Sequence, residues 1–486
     1  MASEETVTIS RKEYDQLIGL KEKVAILNHQ LADLKRLVYG SKRERFISSN
    51  DPAQGSLFNI PQEEDALEQK QQISYQRRKP KPKKQPLRLE LPSHLPRREE
   101  IIIPENLPEG AIRIGEAVTE VLDYVPGKLE VHRIVRPKFI IGSNDEKTNI
   151  VIADLPSLPI PRGNAGSGLL AHILISKFVD HLPFYRQVQM FRRKDIHLAE
   201  STLNGWFAAT CRLLEPLYEN LKKQLLSSDY LMADETPLPV LTKDKPGATH
   251  KGYQWVYYSP DKRLVLFDYR KTRSREGPDD ILREYSGFLQ TDGYEAYINL
   301  QNKDSITLLA CMAHARRYFD KAKGNDLKRA EHALGLFQKL YAIEREAKQL
   351  QADEIKALRQ QKSIPVLNEM HLWLKDEIYN VTPKSAIGKA IAYTLNLWPR
   401  LIRYTQDGRF HIDNNLVENS IRPVALGRKN YLFAGSHDAA QNAAMIYSLL
   451  ATCKINNIEP IQWLKNTLDT MPDHPANQLH KLLPRE

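Results

Sequence analysis

Three carboxylates stand out by type and position: Asp234 in "DYLMADETPLPVL", Asp292 in "FLQTDGYEAY" and Glu418 in "FHIDNNLVENSIRPVALGRKNYLF". The first two end apolar runs that read as buried strands. The third opens a helical stretch followed by cations. Carboxylates at the ends of central strands, with one more on a facing helix, can converge on a point. Their repulsion is relieved by a divalent cation, and Mg²⁺ favours a few carboxylates together with water and phosphate oxygens. Two such ions, ~3.5–4 Å apart, can activate a nucleophile and stabilise the leaving oxygen of a phosphodiester. Each carboxylate also has a plainer use. Asp292-Gly293 is a hairpin signal, Asp234 ahead of Pro237 suits a turn, and Asn415 with Glu418 has capping-box spacing. Only their combination favours the chemistry.

The third stretch supplies part of that combination. Asn414, Glu418 and Arg422 are four apart and share one helical face. Pro423 disfavours helix at Arg422, so the helix is predicted to end there, with Gly427, Arg428 and Lys429 in a turn. A carboxylate and several cations on one surface suit a phosphate backbone approaching a metal.

The elements that must position these residues can be read along the chain. From 229 the pattern gives a strand, a hairpin turning at "SPDK", a short helix at "DDILREYSG", a strand, and then a strand running into a helix. That order is α/β. Residues 325–408 are mostly helical, with Ala333, Leu336, Phe337, Leu340 and Ile343 on one stripe, and "NIEPIQWLKNTLDTM" reads as a last helix. Upstream, "PFYRQVQMFRRKDIHLAESTLNGWFAATCRLL" forms two helical segments broken around "KDIH". This is the layout of a helix-turn-helix, although any helical hairpin gives it. "GEAVTEVLDYV" and "KLEVHRIVRPKFIIG" alternate as short strands with a turn at "PGK". "QRRKPKPKKQP" is an extended basic linker, laid along phosphates or simply solvated. Leu17, Val24, Leu31 and Val38 recur every seven residues, and Leu20, Leu27 and Leu34 fill the other seam position. The narrow seam favours a short parallel coiled coil and self-association over a helix lying on its own core.

Composition narrows the partners. With 486 residues the chain exceeds one ordinary core. A net charge of +10 and a pI of about 9.2 favour nucleic acid or an anionic membrane. No apolar run approaches the ~20 residues of a membrane span, and the polar "MASEETVTISRKEYDQ" is no secretory signal. Cys211, Cys311 and Cys453 are far apart, which is no disulfide framework and suits a reducing cytosol.

Several motifs, in order, resemble those of transposases of the insertion sequence 66 family, TnpC type: "MADETPLPVL", "TDGYEAY", "CMAHARRYFDKA" and "DNNLVENSIRPVALGRKNYLFAGS". "RLVYGSKRER", "KFVDHLPFYRQVQMFRRKDIHLAESTLNGWF" and "NNIEPIQWLKNTL" with the ending "LLP" are also similar, so the resemblance covers nearly the whole chain. It implies a multidomain α/β protein with a ribonuclease-H-like catalytic core, a mixed sheet with flanking helices and a helical insertion. The implied division is a coiled coil at 1–48, the basic linker at 49–100, a small β module at 101–160, and a helix-turn-helix-like segment at 161–226. The core follows at 227–450, with its insertion at about 320–410, and a C-terminal helical segment ends the chain at 451–486.

The resemblance also implies the chemistry. Asp234, Asp292 and Glu418 would be the catalytic triad, holding two Mg²⁺ ions with Mn²⁺ as a substitute. The activity implied is metal-dependent cleavage at the element's ends and 3′-hydroxyl strand transfer into target DNA. Asn415, Arg422, Arg428, Lys429, Arg186, Ser201 and Thr202 would contact DNA, both terminal inverted repeats and target. Cys311 and His314 resemble a Cys-x-x-His element that orients the core or touches DNA. A homodimer or higher homo-oligomer, companion proteins of the element, no membrane, and a bacterial, nucleoid-associated cytoplasmic location are expected. Family members carry cysteine pairs around the β module. Its flanks here, "IIIPENLPEG" and "IIGSNDEKTN", have none, so no zinc is expected. Two rival readings are a metal-dependent nuclease that cuts without joining and a DNA-binding regulator that has lost catalysis.

Overall fold

The computed structural model describes residues 156–485, apart from 162, 243–246 and 303–304, together with residues 127, 129, 131, 138–141 and 149–152. The expected coiled coil of 1–48 and linker of 49–100 lie outside the described residues, as does most of the β module of 101–160. The chain divides into two compact units. In the unit Ser41–Leu155 the described elements are an antiparallel pair, β1 (Lys138–Ile141) and β2 (Asn149–Ile152), in register from Lys138↔Ile152 to Ile141↔Asn149.

In the other unit the first described helices are α1 (Ser167–Phe178), α2 (Phe184–Arg192) and α3 (Glu200–Leu226). The break between α2 and α3 covers the "KDIH" stretch, and Asp195 there takes a positive φ of 56°. Phe184, Val188 and Phe191 of α2 and Leu203, Trp206 and Phe207 of α3 are all buried, so the apolar faces of both helices are spent on the core.

A five-stranded mixed sheet follows, in the order β5-β4-β3-β6-β7. β3 (Tyr230–Leu241), β4 (Thr249–Ser259) and β5 (Leu264–Arg270) form an antiparallel meander. After the short α4 (Glu276–Ile281), β6 (Gly287–Thr291) and then β7 (Ile306–Ala310) continue the sheet parallel to β3. α5 (Met312–Ala322) leads into a helical insertion of α6 (Leu327–Glu346), α7 (Ala352–Leu358), α8 (Ile364–Glu377) and α9 (Ala386–Leu401). The unit closes with α10 (Asn415–Tyr431), α11 (His437–Ile455) and α12 (Pro460–Thr470). No helix among the described residues is long and apolar enough to cross a membrane.

The sheet's outer edge is sealed by side chains. β5 is buried from Leu264 to Tyr269, and α11 covers it. Ser448 and Thr452, one turn apart, accept hydrogen bonds from the Phe267 and Val265 N–H groups at 2.7 and 3.2 Å. An edge strand would otherwise leave those donors bare.

Two local expectations are corrected. β3 does not end at its carboxylates: it runs seven residues further, through Pro237 and Pro239 to Leu241. Its partner β6 pairs only with Tyr230–Met232, so beyond Met232 that side of β3 is free of a ladder. The prolines lie where the main chain faces this free side. The Pro239 carbonyl accepts from Ala434 N–H, and Leu241 N–H donates to the Ala434 carbonyl, both at 2.9 Å. A missing proline N–H costs no strand pairing there. Likewise α10 does not end at Arg422 but continues through Pro423 to Tyr431. Interior proline costs roughly 3 kcal/mol. Val417, Ser420, Val424 and Gly427, buried along the helix on both sides of that residue, hold it together.

Candidate active site

Asp234 and Asp292 are brought together by strand register. β3 and β6 pair as Tyr230↔Phe288, Leu231↔Leu289 and Met232↔Gln290. Two residues further along each chain come Asp234 and Asp292, the latter one residue past the end of β6. Asp292 does not open a hairpin, since β6 and β7 run parallel. Gly293 instead takes φ +90°, and a Cβ there would lie 2.7 Å from Leu397 of α9. The turn thus needs glycine both for its backbone and for close packing of the insertion. Two more bonds fix the turn: Tyr294 N–H donates to Asp292 Oδ1 at 2.8 Å, and the Tyr393 hydroxyl of α9 donates to the Asp292 carbonyl at 2.5 Å.

Glu418 arrives from the other side. The segment before α10 is bound to the sheet by the Met312 N–H, which donates to the Ile412 carbonyl at 3.0 Å, and by Gln290, whose amide donates to the His411 carbonyl at 3.0 Å. Asn414, fully buried, donates its side-chain amide to the Ala233 carbonyl of β3 at 2.8 Å. Its N–H donates to Cys311 Sγ at 3.2 Å. One turn later Glu418 faces α5, with Oε2 3.6 Å from Arg317 and Oε1 3.9 Å from His314 Nε2. The helix N-cap is Asn414 and no side chain caps it, so Glu418 is not the partner of a capping box.

Asp234, Glu235, His314, Arg317, Glu418 and Ile421 line one open cleft of about 310 Å³. One carboxylate oxygen from each of Asp234, Glu235 and Asp292 lies within 4.8 Å of the other two. Burial pushes the Asp234 carboxyl well above the usual carboxylate range, and the charges of Glu235, Asp292 and Glu418 add to the rise. Burial, then Asp292, also raises Glu235, against the pull of Arg273. This excess of confined negative charge is what a divalent cation would relieve, so the residues present fit one. His314 is held down to about 4, first by burial and then by Arg317, which leaves its ring neutral near pH 7.

The residues expected at DNA are spread over the same unit. Arg422 and Lys429 are exposed on α10. Asn415 is exposed but engaged: its N–H and side-chain amide both donate to Asp413, at 3.1 and 2.8 Å. Arg428 is turned inward, and its guanidinium donates to the Pro237 carbonyl of β3. Arg186 of α2 is exposed and reaches Asn430, beside Lys429, at 3.4 Å. Ser201 and Thr202 sit in the first turn of α3, on the α2 side of that helix's buried Trp206 and Phe207. Cys311, buried, serves as the acceptor that seats Asn414, while His314 lines the cleft. Sequence reasoning passed over Glu235, Arg317 and Arg273. Arg317, three residues after His314 and on the same face of α5, carried no signal of its own. Glu235 was hidden by alternation, which sends neighbours on a strand to opposite faces.

Comparison with known proteins places this geometry. Residues 162–442 match the family described as "Transposase IS66 family", residues 448–484 its "IS66 C-terminal element", and residues 26–99 the element described as "Transposase C of IS166 homeodomain". Two proteins of Sinorhizobium fredii (strain NBRC 101917 / NGR234), described as uncharacterized proteins y4jD and y4qI, are each 33% identical to the chain. The matches span 96% and 95% of this chain, and 95% and 89% of those relatives. The uncharacterized protein YuaK of Escherichia coli (strain K12) is 39% identical over 49 residues.

Proposed function

The chain belongs to the IS66 transposase family, and from that premise and the cleft we propose that it cuts DNA at the ends of its element and joins the freed 3′-hydroxyl to target DNA. The observation that carries the reading is that Asp234 lies with Asp292 in one cluster of carboxylates, while Glu418 lines the same cleft as Asp234 from the helix side. The sheet order, an antiparallel meander continued by two parallel strands, supports a ribonuclease-H-like core.

Asp234, Asp292 and Glu418 would hold a pair of Mg²⁺ ions. Such a pair would supply activation of a water or hydroxyl oxygen and charge stabilisation for the departing one. The protein's own part is positional. Strand register and the Tyr393 bond fix Asp292 against Asp234. Asn414 seats the helix that presents Glu418. Arg317 partners Glu418 and is a ready contact for a phosphate oxygen. Arg422 and Lys429 extend the cationic surface along α10, and Arg186 continues it from α2. No serine or tyrosine nucleophile is required, because the DNA hydroxyl itself attacks. The heptads of the N-terminus are read as the pairing element of a homo-oligomer, and companion proteins of the element as further partners.

The test is cleavage and strand transfer on DNA carrying the element's own ends, with Mg²⁺ or Mn²⁺, beside Glu418→Gln. Loss of both steps in the variant with DNA binding retained supports the reading. Cleavage with no joining of a precut end would favour the nuclease. A variant as active as the wild type would remove Glu418 from the site.

A further inference from the structure

Glu235 is the one carboxylate of the cluster that the reading above leaves without a task. Its side chain is only 3% exposed. Arg273 meets it with two donors, Nε at 2.8 Å and a terminal nitrogen, yet both fall on the same oxygen, Oε1. An arginine whose sole purpose was to neutralise a carboxylate would favour the two-pronged arrangement, one donor to each oxygen. Here Oε2 is buried without a well-formed hydrogen bond among the described residues, although the Tyr297 hydroxyl lies near enough to Glu235 to favour its charged form. A buried carboxylate oxygen so weakly partnered is costly, and native structures rarely keep one without a ligand or a role. Glu235 also places an oxygen within 4.8 Å of oxygens of both Asp234 and Asp292.

Arg273 is itself held in place. Its guanidinium lies 3.8 Å over the Tyr294 ring, and the Tyr294 hydroxyl donates to the Arg273 carbonyl at 3.0 Å. The same Tyr294 donates its N–H to Asp292 Oδ1. Arg273, Tyr294, Asp292 and Glu235 therefore form one linked frame around the acidic cluster.

We propose that Glu235 supplies a further oxygen ligand to the divalent-cation centre, and that Arg273 is a positioning residue which steers that carboxylate by holding only one of its oxygens. The inference rests on the reading of Asp234 and Asp292 as metal ligands. Alternation along β3 is no obstacle: past Met232 the β6 ladder has ended, and an oxygen of Glu235 lies within 4.8 Å of oxygens of both Asp234 and Asp292.

Mn²⁺ binding to the full chain without DNA, followed by the electron paramagnetic resonance of the free ion, tests it independently of catalysis. Glu235→Gln keeps the shape and an acceptor for Arg273 while removing the charge. It is expected to weaken Mn²⁺ about tenfold or more, the scale for disturbing a metal's immediate surroundings, with Glu235→Asp recovering part of the loss. Arg273→Gln releases the oxygen by which the carboxylate is steered and is expected to weaken Mn²⁺ binding, by less than Glu235→Gln, with Arg273→Lys recovering part of the loss. Mn²⁺ binding as tight as the wild type in Arg273→Gln overturns the positioning role. Thermal melting without metal identifies a variant that fails to fold, in which case Glu235→Asp carries the comparison. If Glu235→Gln and Glu235→Asp bind like the wild type while Asp234→Asn does not bind, the inference is overturned and the reading it rests on stands. If Asp234→Asn also binds like the wild type, both fall.

Discussion

The two sides of the cleft are built by different means. On the sheet side, Asp234 and Asp292 are placed by backbone register, three paired residues before them fixing where the next will fall. On the helix side, Glu418 is separated from the sheet by the whole α5–α9 insertion and is placed by side chains: Asn414 on Ala233, Cys311 under Asn414, Gln290 on His411. A strand ladder is cooperative and local. A helix seated by single buried bonds depends on each of them. The sheet side should therefore tolerate changes around it that displace the helix side.

Changing the carboxylates themselves breaks the site from either side, and this is the largest effect expected. Asp234→Asn and Glu418→Gln should each lower cleavage by at least about 10²-fold, the scale of losing one preorganised electrostatic group. Gel-shift titration should show DNA binding retained. The two differ in stability. Asp234 has its carboxyl raised in the folded state, chiefly by burial. Such a group stabilises the fold fully below its unfolded value, and that contribution disappears as pH rises through the raised folded value. Above the ordinary carboxylate range the raised Asp234 carboxyl costs the fold stability, so at neutral pH Asp234→Asn should melt higher than the wild type without metal, and the gap should close as pH falls below that range. A variant that melts lower at pH 7 would contradict the picture of a strained acidic cluster.

Breaking the insertion should reach the helix side first. Arg359 is 3% exposed and fully engaged: its Nε and one terminal nitrogen donate to Glu344 at 2.9 and 2.6 Å, and its other nitrogen to the Tyr404 and Asp407 carbonyls at 2.8 and 3.0 Å. Those carbonyls lie a few residues before α10. Arg359→Ala leaves Glu344 and two carbonyls without their partner and should cost about 3–5 kcal/mol, the range for breaking a buried pair. Denaturant unfolding measures the loss. Hydrogen exchange should then show residues 404–431 opening before β3 and β6. Uniform loss of protection would mean that sheet and insertion form one cooperative block.

What could be read in the sequence follows the same division. The order of strands and helices, the placement of Asp292 just past β6, and the helical character of the long gap were legible because each is written locally, in apolar runs and their period. The end of β3 and the end of α10 were misjudged for one reason. Proline was weighed as a local breaker at Pro237 and Pro423, whereas each sits where tertiary packing absorbs it. Glu235 was missed because alternation along a strand assigns it and Asp234 to opposite faces, whereas an oxygen of each lies within 4.8 Å of the other. The seating of Asn414 by Cys311 could not be read at all, since those residues meet only after the insertion has folded back.

The smallest effect separates cations that look alike in sequence. Arg422 and Arg428 stand six apart on α10, but Arg422 is exposed while Arg428 donates to the Pro237 carbonyl of β3. An arginine that pairs a phosphate releases counterions, so its loss weakens binding to any sequence and lowers the salt slope by about one. An arginine that bonds a main-chain carbonyl acts on the fold, and its loss should cost about 1.5–3 kcal/mol. Arg422→Ala is thus expected to flatten the dependence of DNA affinity on salt with an unchanged melting temperature. Arg428→Ala is expected to lower the melting temperature and leave the slope nearly as it was. If both variants flatten the slope equally, Arg428 leaves Pro237 when DNA arrives, and the helix side of the cleft is rearranged by its substrate rather than built in advance.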